Sequence, residues 1–180
     1  MEALVLQRKH TATWVRVLAV LLFTAATALS ARISVVLPFS PVPLTLQVLV
    51  VVLSGLVLGP VGGLAAQGLY LQAILLGAPW TAAGLAGPAA FLGPTAGYLL
   101  AFPVAAGLAG WIARRSGVHP VFWRMAGSLA ALATIYLLGL AWLSHFVGGP
   151  ANAWRLGVAP FIGADLLKLV LANAALAAKR

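Results

Sequence analysis

Apolar runs separated by clusters of proline and glycine set the rhythm of this chain. Residues 11–31 are apolar apart from Arg16 and small hydroxyls, which predicts a first helix long enough to cross a membrane. In residues 32–43 the spacing of Pro38, Pro41 and Pro43 excludes a helix and predicts an extended, ordered cover. Residues 44–58 are apolar again, break at Gly59-Pro60-Val61-Gly62-Gly63 and resume over 64–76, predicting two rather short spans joined by a tight turn. Residues 77–87 carry Pro79, Trp80, Thr81, Gly84 and Gly87, a second irregular stretch. The next apolar run, 88–113, is interrupted by Gly93-Pro94 and by Pro103. Arg114, Arg115, His119 and Arg124 then mark a connection, and Pro120 suits the start of a fifth helix reaching 147. Residues 148–156 read as the last loop. A sixth helix, with Pro160 in its first turn, carries the chain to Lys179 and Arg180.

Composition turns these runs into membrane spans. The 180 residues are 63% hydrophobic and 7% charged, with a mean hydropathy of +1.07, whereas soluble domains carry about 25% charged residues. The expectation is an all-α integral membrane protein of six transmembrane helices, residues 1–180 forming a single membrane domain. A basic start, a short apolar core and Ala28-Leu29-Ser30-Ala31 also fit a signal peptide over the first segment. The helix reading is preferred, because the remaining chain is itself apolar and an uncleaved start gives the better charge balance. With the N-terminus inside, cytoplasmic segments hold Arg8, Lys9, Arg16, Arg114, Arg115, Arg124, Lys179 and Arg180, and external loops hold only Arg32 and Arg155. That asymmetry predicts both ends in the cytoplasm. The net charge of +9 is thereby explained by topology, since the basic residues form no stripe with aromatics that would serve a nucleic acid.

The chemistry concentrates in Pro160-Phe-Ile-Gly-Ala-Asp-Leu-Leu-Lys168, which places the one acid beyond position 2 inside an apolar segment. A charge at the bilayer centre costs about 2.5–3.5 kcal/mol on insertion scales, so Asp165 and Lys168 must pair or hold a polar ligand. At i, i+3 they share a helix face. A snorkelling ion pair at the helix end is the structural alternative. Gln47, Gln67 and Gln72 are polar within spans, as interhelical hydrogen bonds or as ligand contacts, and Tyr98 is either an interfacial anchor or a cavity donor. On the first helix Thr24 with Ala28, and Thr27 with Ala31, are small pairs four apart, a smooth face for another helix in this chain or another.

The absence of cysteine excludes disulfides, thiolate catalysis and Cys-based metal sites. His145 stands without a second histidine or carboxylate near it in sequence, so no metal is expected, and no cofactor either. No phosphate-binding loop, Ser/His/Asp set or paired carboxylates appear, so neither an ATPase nor a hydrolase is supported. Binding without chemistry is the expectation, in a covered pocket formed by Asp165, Lys168 and the irregular stretches 32–43 and 77–87.

Four segments carry a family resemblance: Pro41-Val-Pro-Leu-Thr-Leu-Gln47, Leu58-Gly-Pro60, Gly93-Pro-Thr-Ala-Gly-Tyr98 and Pro160-Phe-Ile-Gly-Ala-Asp-Leu-Leu-Lys168. Together they resemble the BioY family, the biotin-binding S components of energy-coupling-factor (ECF) importers. The resemblance implies a six-helix bundle of S-component type in the cell membrane that captures biotin from the outer face. It implies coupling to a transmembrane T subunit and two ATPase subunits. Asp165 and Lys168 become ligand contacts, with Tyr98 and Gln47 beside them and the loop before Gln47 as a lid. The 77–87 loop holds no asparagine and offers only Trp80 and Thr81 as side-chain candidates. The family's first helix often carries alanines four apart for docking the T subunit; here the candidate face is Thr24, Ala28 and Ala31, with Thr27 and Ser30 replacing some alanines. An S component for another vitamin, or a membrane-embedded enzyme or structural subunit held together by Asp165 and Lys168, are the alternatives.

Overall fold

The computed structural model describes residues 2–115 and 119–178, with side chains from Thr13 onward. The side chains of Arg8 and Lys9, and residues Lys179 and Arg180, all counted in the charge asymmetry, lie outside the described residues. The elements are α1 (Glu2–Arg32), a two-stranded antiparallel ribbon of β1 (Ser34–Val35) and β2 (Leu44–Thr45), α2 (Gln47–Leu75), a 3-10 turn (Gly87–Phe91), α3 (Ala96–Ala113), α4 (Pro120–Leu143), α5 (Pro150–Gly157) and α6 (Ile162–Ala177). In the ribbon Ser34 pairs with Thr45 and Val35 with Leu44.

α2 is a helical hairpin. Gly59 adopts φ 78° and ψ −177°, a conformation open to glycine that reverses the chain. Gln47 Nε2 consequently donates to Tyr70 Oη at 2.8 Å, and Gln67 Nε2 to Ser54 Oγ at 3.1 Å. In an uninterrupted helix the first pair would be about 35 Å apart. The two arms, 47–58 and 60–75, are the two short spans expected, and the turn between them is tighter than the five-residue break suggested. Glycine also seats α3 on this hairpin: a Cβ at Gly110 would lie 2.6 Å from the carbonyl oxygen of Gly55, so the backbones meet with no side chain between them.

α1, α3 and α4 are each long and apolar enough to cross a membrane, as is α2 in total length, and α5 with α6 forms a bent pair, at 55°, that passes the same test together. Counting the arms of α2 separately, and α5–α6 as one, gives six crossing segments. Large apolar side chains such as Leu18, Leu22, Leu137, Leu167 and Val170 face outward, while Thr27, Ser54, Gln67 and Ser128 are buried and hydrogen-bonded between helices. A chain with apolar outer flanks and polar side chains bonded between its helices is a multi-pass membrane protein.

Three local expectations need correction. The fifth helix stops at Leu143 instead of 147: His145 and Phe146 bond back three residues, to Trp142 and Leu143, and the chain then turns at Gly148 and Gly149, both at positive φ. The expected loop 148–156 is mostly α5, where Pro150 occupies the first turn with its φ already set for a helix. Pro160 does not open α6; it lies in the bend before it, and Phe161 is the N-cap. α1 is an integral part of the bundle, with Thr24 Oγ1 donating to the Ala66 carbonyl at 2.9 Å, as the helix reading of this segment expects.

Candidate functional site

At one end of the bundle the ribbon, the 77–87 loop, α5 and the N-terminus of α6 surround a cavity of about 190 Å³. Its deep wall is apolar, built by Val48 of α2, Leu99 and Phe102 of α3, Ile135 of α4 and Phe161. Polar groups converge on one side of it: Asp165, Lys168, Gln47, Thr45 and Tyr136. An apolar cavity with a few convergent polar groups is the ordinary form of a small-molecule site.

The ion pair anchors that polar side. Lys168 Nζ lies 2.6 Å from Asp165 Oδ1, and both side chains are over nine-tenths buried. Asp165 sits in the first turn of α6, where the positive end of the helix favours a carboxylate. Its second oxygen accepts a 2.6 Å hydrogen bond from Tyr136 Oη, and Lys168 also donates to the Thr45 carbonyl at 2.6 Å. An ammonium has three donors and an ionised carboxylate about four acceptor sites. The pair therefore retains one donor and about two acceptor positions beside the cavity.

The remaining expected residues divide. Gln47 lines the cavity and is buried, with Nε2 on Tyr70 and Oε1 accepting from Thr45 Oγ1 at 3.4 Å. Tyr98 lines it too and donates to the Gly157 carbonyl at 2.8 Å, so it is a buried wall residue and not an interfacial anchor. Thr81 lines the cavity and is buried, and its hydroxyl closes the loop on the Leu85 carbonyl at 3.0 Å. Trp80 does not line the cavity: its side chain packs on the core, and its carbonyl accepts from Tyr70 at 3.0 Å.

Thr24, Ala28 and Ala31, expected as a face for a partner, are turned inward. All three are buried, and Thr24 is bonded to the second arm of α2. Small residues four apart serve close packing within the chain here, while Leu18, Leu22 and Leu29 face out.

Tyr136 was not among the expected site residues. Its signal was available: the chain has three tyrosines, and a phenol inside an apolar span needs a hydrogen-bond partner. All three are bonded in or beside the cavity, Tyr70 to Trp80, Tyr98 to Gly157 and Tyr136 to Asp165.

The ribbon and the rim are tied at several points. Ser40 Oγ donates to the Leu156 carbonyl at 2.6 Å, and the Arg32 guanidinium donates to the Pro79 carbonyl. Residues 32–43, expected as an ordered cover, thus join α1 to α5 over the cavity.

Comparison with known proteins places this geometry in a family. Residues 6–180 match the model of the BioY family. The probable biotin transporter BioY of Pyrococcus horikoshii is 46% identical over 153 residues, covering 85% of this chain and 88% of the relative. The biotin transporter BioY of Thermotoga maritima is 38% identical over 151 residues, covering 84% and 87%. Among solved structures, the crystal structure of the S-component for biotin from an ECF-type ABC transporter superposes with a TM-score of 0.81 at 25% identity, covering 91% of this chain and 89% of that one.

Proposed function

The chain belongs to the BioY family, and from that premise we propose that it is the biotin-binding S component of an ECF-type importer, a transport subunit and not an enzyme. The observation that carries the ligand assignment is the buried Asp165–Lys168 pair at the polar side of an otherwise apolar cavity. Biotin joins an apolar bicycle and chain to a ureido group with two N–H donors and one carbonyl acceptor, and to a carboxylate. The open acceptor positions of Asp165 suit the ureido N–H groups, and the third N–H of Lys168 suits the ureido oxygen or the carboxylate. Gln47, Tyr98 and Thr81 complete the wall around it.

Orientation follows from the basic residues. Among the described residues, Arg16, Arg114, Arg115 and Arg124 lie toward the end of the bundle away from the cavity, while Arg32 and Arg155 lie at the cavity end, beside the paired Lys168. That distribution supports a cell-membrane protein with its cavity facing outward and its described basic cluster in the cytoplasm. The chain carries no nucleotide-binding loop, and its likeness to the S-component of an ECF-type ABC transporter implies that energy reaches it from a transmembrane T subunit and two ATPase subunits. The burial of Thr24, Ala28 and Ala31 within the chain favours a different surface for a T subunit.

Equilibrium binding of labelled biotin to the purified protein tests the reading, with thiamine and riboflavin as competitors. Saturable binding displaced by biotin alone supports it; binding of another vitamin in preference to biotin overturns the ligand, and no binding overturns the assignment of the cavity.

A further inference from the structure

Six hydrogen bonds run as one chain through the cavity end of the bundle. Tyr136 and Lys168 both donate to Asp165, and Lys168 donates to the Thr45 carbonyl. Thr45 Oγ1 donates to Gln47 Oε1, Gln47 Nε2 donates to Tyr70 Oη, and Tyr70 donates to the Trp80 carbonyl. The chain begins on α4, passes through α6, β2 and both arms of α2, and ends in the 77–87 loop. Asp165, Lys168, Thr45, Gln47 and Tyr136 line the cavity; Tyr70 does not.

Tyr70 is fully buried, and its ring stacks on cavity-lining Phe102 with centroids 6.4 Å apart. Phenylalanine would supply the same ring. What the hydroxyl adds is a relay, accepting from Gln47 and donating to the loop, and a polar group in this interior is retained at a cost unless both ends are met. Side chains from outside the loop hold it at two successive carbonyls, Pro79 bonded by Arg32 and Trp80 by Tyr70, in addition to the backbone bonds of Gly77 and Ala78 to the end of α2. Beyond them Thr81, Ala82, Ala83 and Leu85 line the cavity.

We propose that Tyr70 is a positioning residue that touches no ligand but seats the 77–87 wall over the cavity through the Trp80 carbonyl. Through Gln47 it links the firmness of that wall to occupancy at Asp165 and Lys168. The inference rests on the proposed biotin-binding function for the identity of the ligand, while the tie between Tyr70 and the loop does not.

The test is Tyr70→Phe in the full chain, which keeps the stack on Phe102. Biotin should dissociate about tenfold faster, as expected for losing a buried hydrogen bond that holds the closed wall, with association unchanged. Amide exchange at residues 80–85 of the loaded protein should return to the ligand-free rate, and the melting temperature of the ligand-free protein should fall by a few degrees at most, since Gln47 Nε2 and the Trp80 carbonyl lose a buried partner. A lower melting temperature with unchanged dissociation would reduce Tyr70 to packing and overturn the proposal, as would unchanged exchange at 80–85. If wild-type protein binds no biotin, the functional reading falls first. Tyr70→Phe must then still speed exchange at 80–85 in the ligand-free protein, and failure to do so overturns the tie itself.

Discussion

Tyr136 on α4 donates to Asp165 on α6 at 2.6 Å, fixing the carboxylate oxygen that Lys168 does not hold. A hydrogen bond to a charged group contributes about 1.5–3 kcal/mol, roughly tenfold or more in affinity. Asp165→Asn should therefore weaken biotin binding at least tenfold while the protein still extracts and purifies folded. Tyr136→Phe should weaken it by a smaller factor, because the carboxylate stays but turns more freely. Equilibrium binding of labelled biotin reads both. Wild-type affinity in a folded Asp165→Asn protein would leave only a structural ion pair.

The ribbon and the segment between its strands should behave as a lid. Saturating biotin should slow amide exchange across residues 33–46, since ordering a loop over ligand lowers its local opening. Ser40→Ala, which removes the tie to the Leu156 carbonyl, should restore part of the exchange and speed biotin release. Identical exchange with and without biotin would count against a lid.

The inward face of α1 gives a prediction opposite to that for a docking surface. Ala28 is buried, so Ala28→Trp should overpack the α1–α2 contact, cost about 1–3 kcal/mol or more, and lower biotin binding and the yield of folded protein together. Thermal unfolding in detergent checks this. A stable Ala28→Trp protein that binds biotin but no longer assembles would return the docking surface to Thr24, Ala28 and Ala31.

Close packing at the hairpin separates two glycines that look alike in sequence. A Cβ at Gly55 would overlap the Ala106 carbonyl oxygen, whereas one at Gly68 meets nothing within 4 Å. Gly55→Ala should destabilise by about 1–3 kcal/mol through separation of α2 and α3. Gly68→Ala should be neutral or stabilising by up to about 1 kcal/mol, the helix-propensity difference. Equal melting temperatures for the two variants would contradict the packing.

Spans and breaks were legible because each has a cause written locally: apolar length, proline without its N–H, glycine at a reversal. Asp165 and Lys168 were legible for the same reason, as charges where charge is costly. Tyr136 was not, because its role depends on α4 lying beside α6, a pairing no local pattern states. The small residues of α1 showed that a helix packs there but not which one, since Thr24 on Ala66 satisfies the same rule as a foreign partner. The sequence points to the Trp80 side chain, yet the group in use is its carbonyl, which every residue carries.

The reversal at Gly59 has a consequence for the lipid around the protein. The arms it leaves rise only about 18 Å and 24 Å, against a hydrocarbon layer of about 30 Å. The Arg114 side chain lies across the turn at Gly59, bringing a cation, and the water it requires, to the tip of the shorter arm. The bilayer beside this hairpin must dip to meet it, at a fraction of a kcal/mol for each ångström of mismatch. The protein reconstituted in bilayers of short acyl chains should therefore melt at a higher temperature than in bilayers of long ones, and equal melting temperatures would contradict the mismatch.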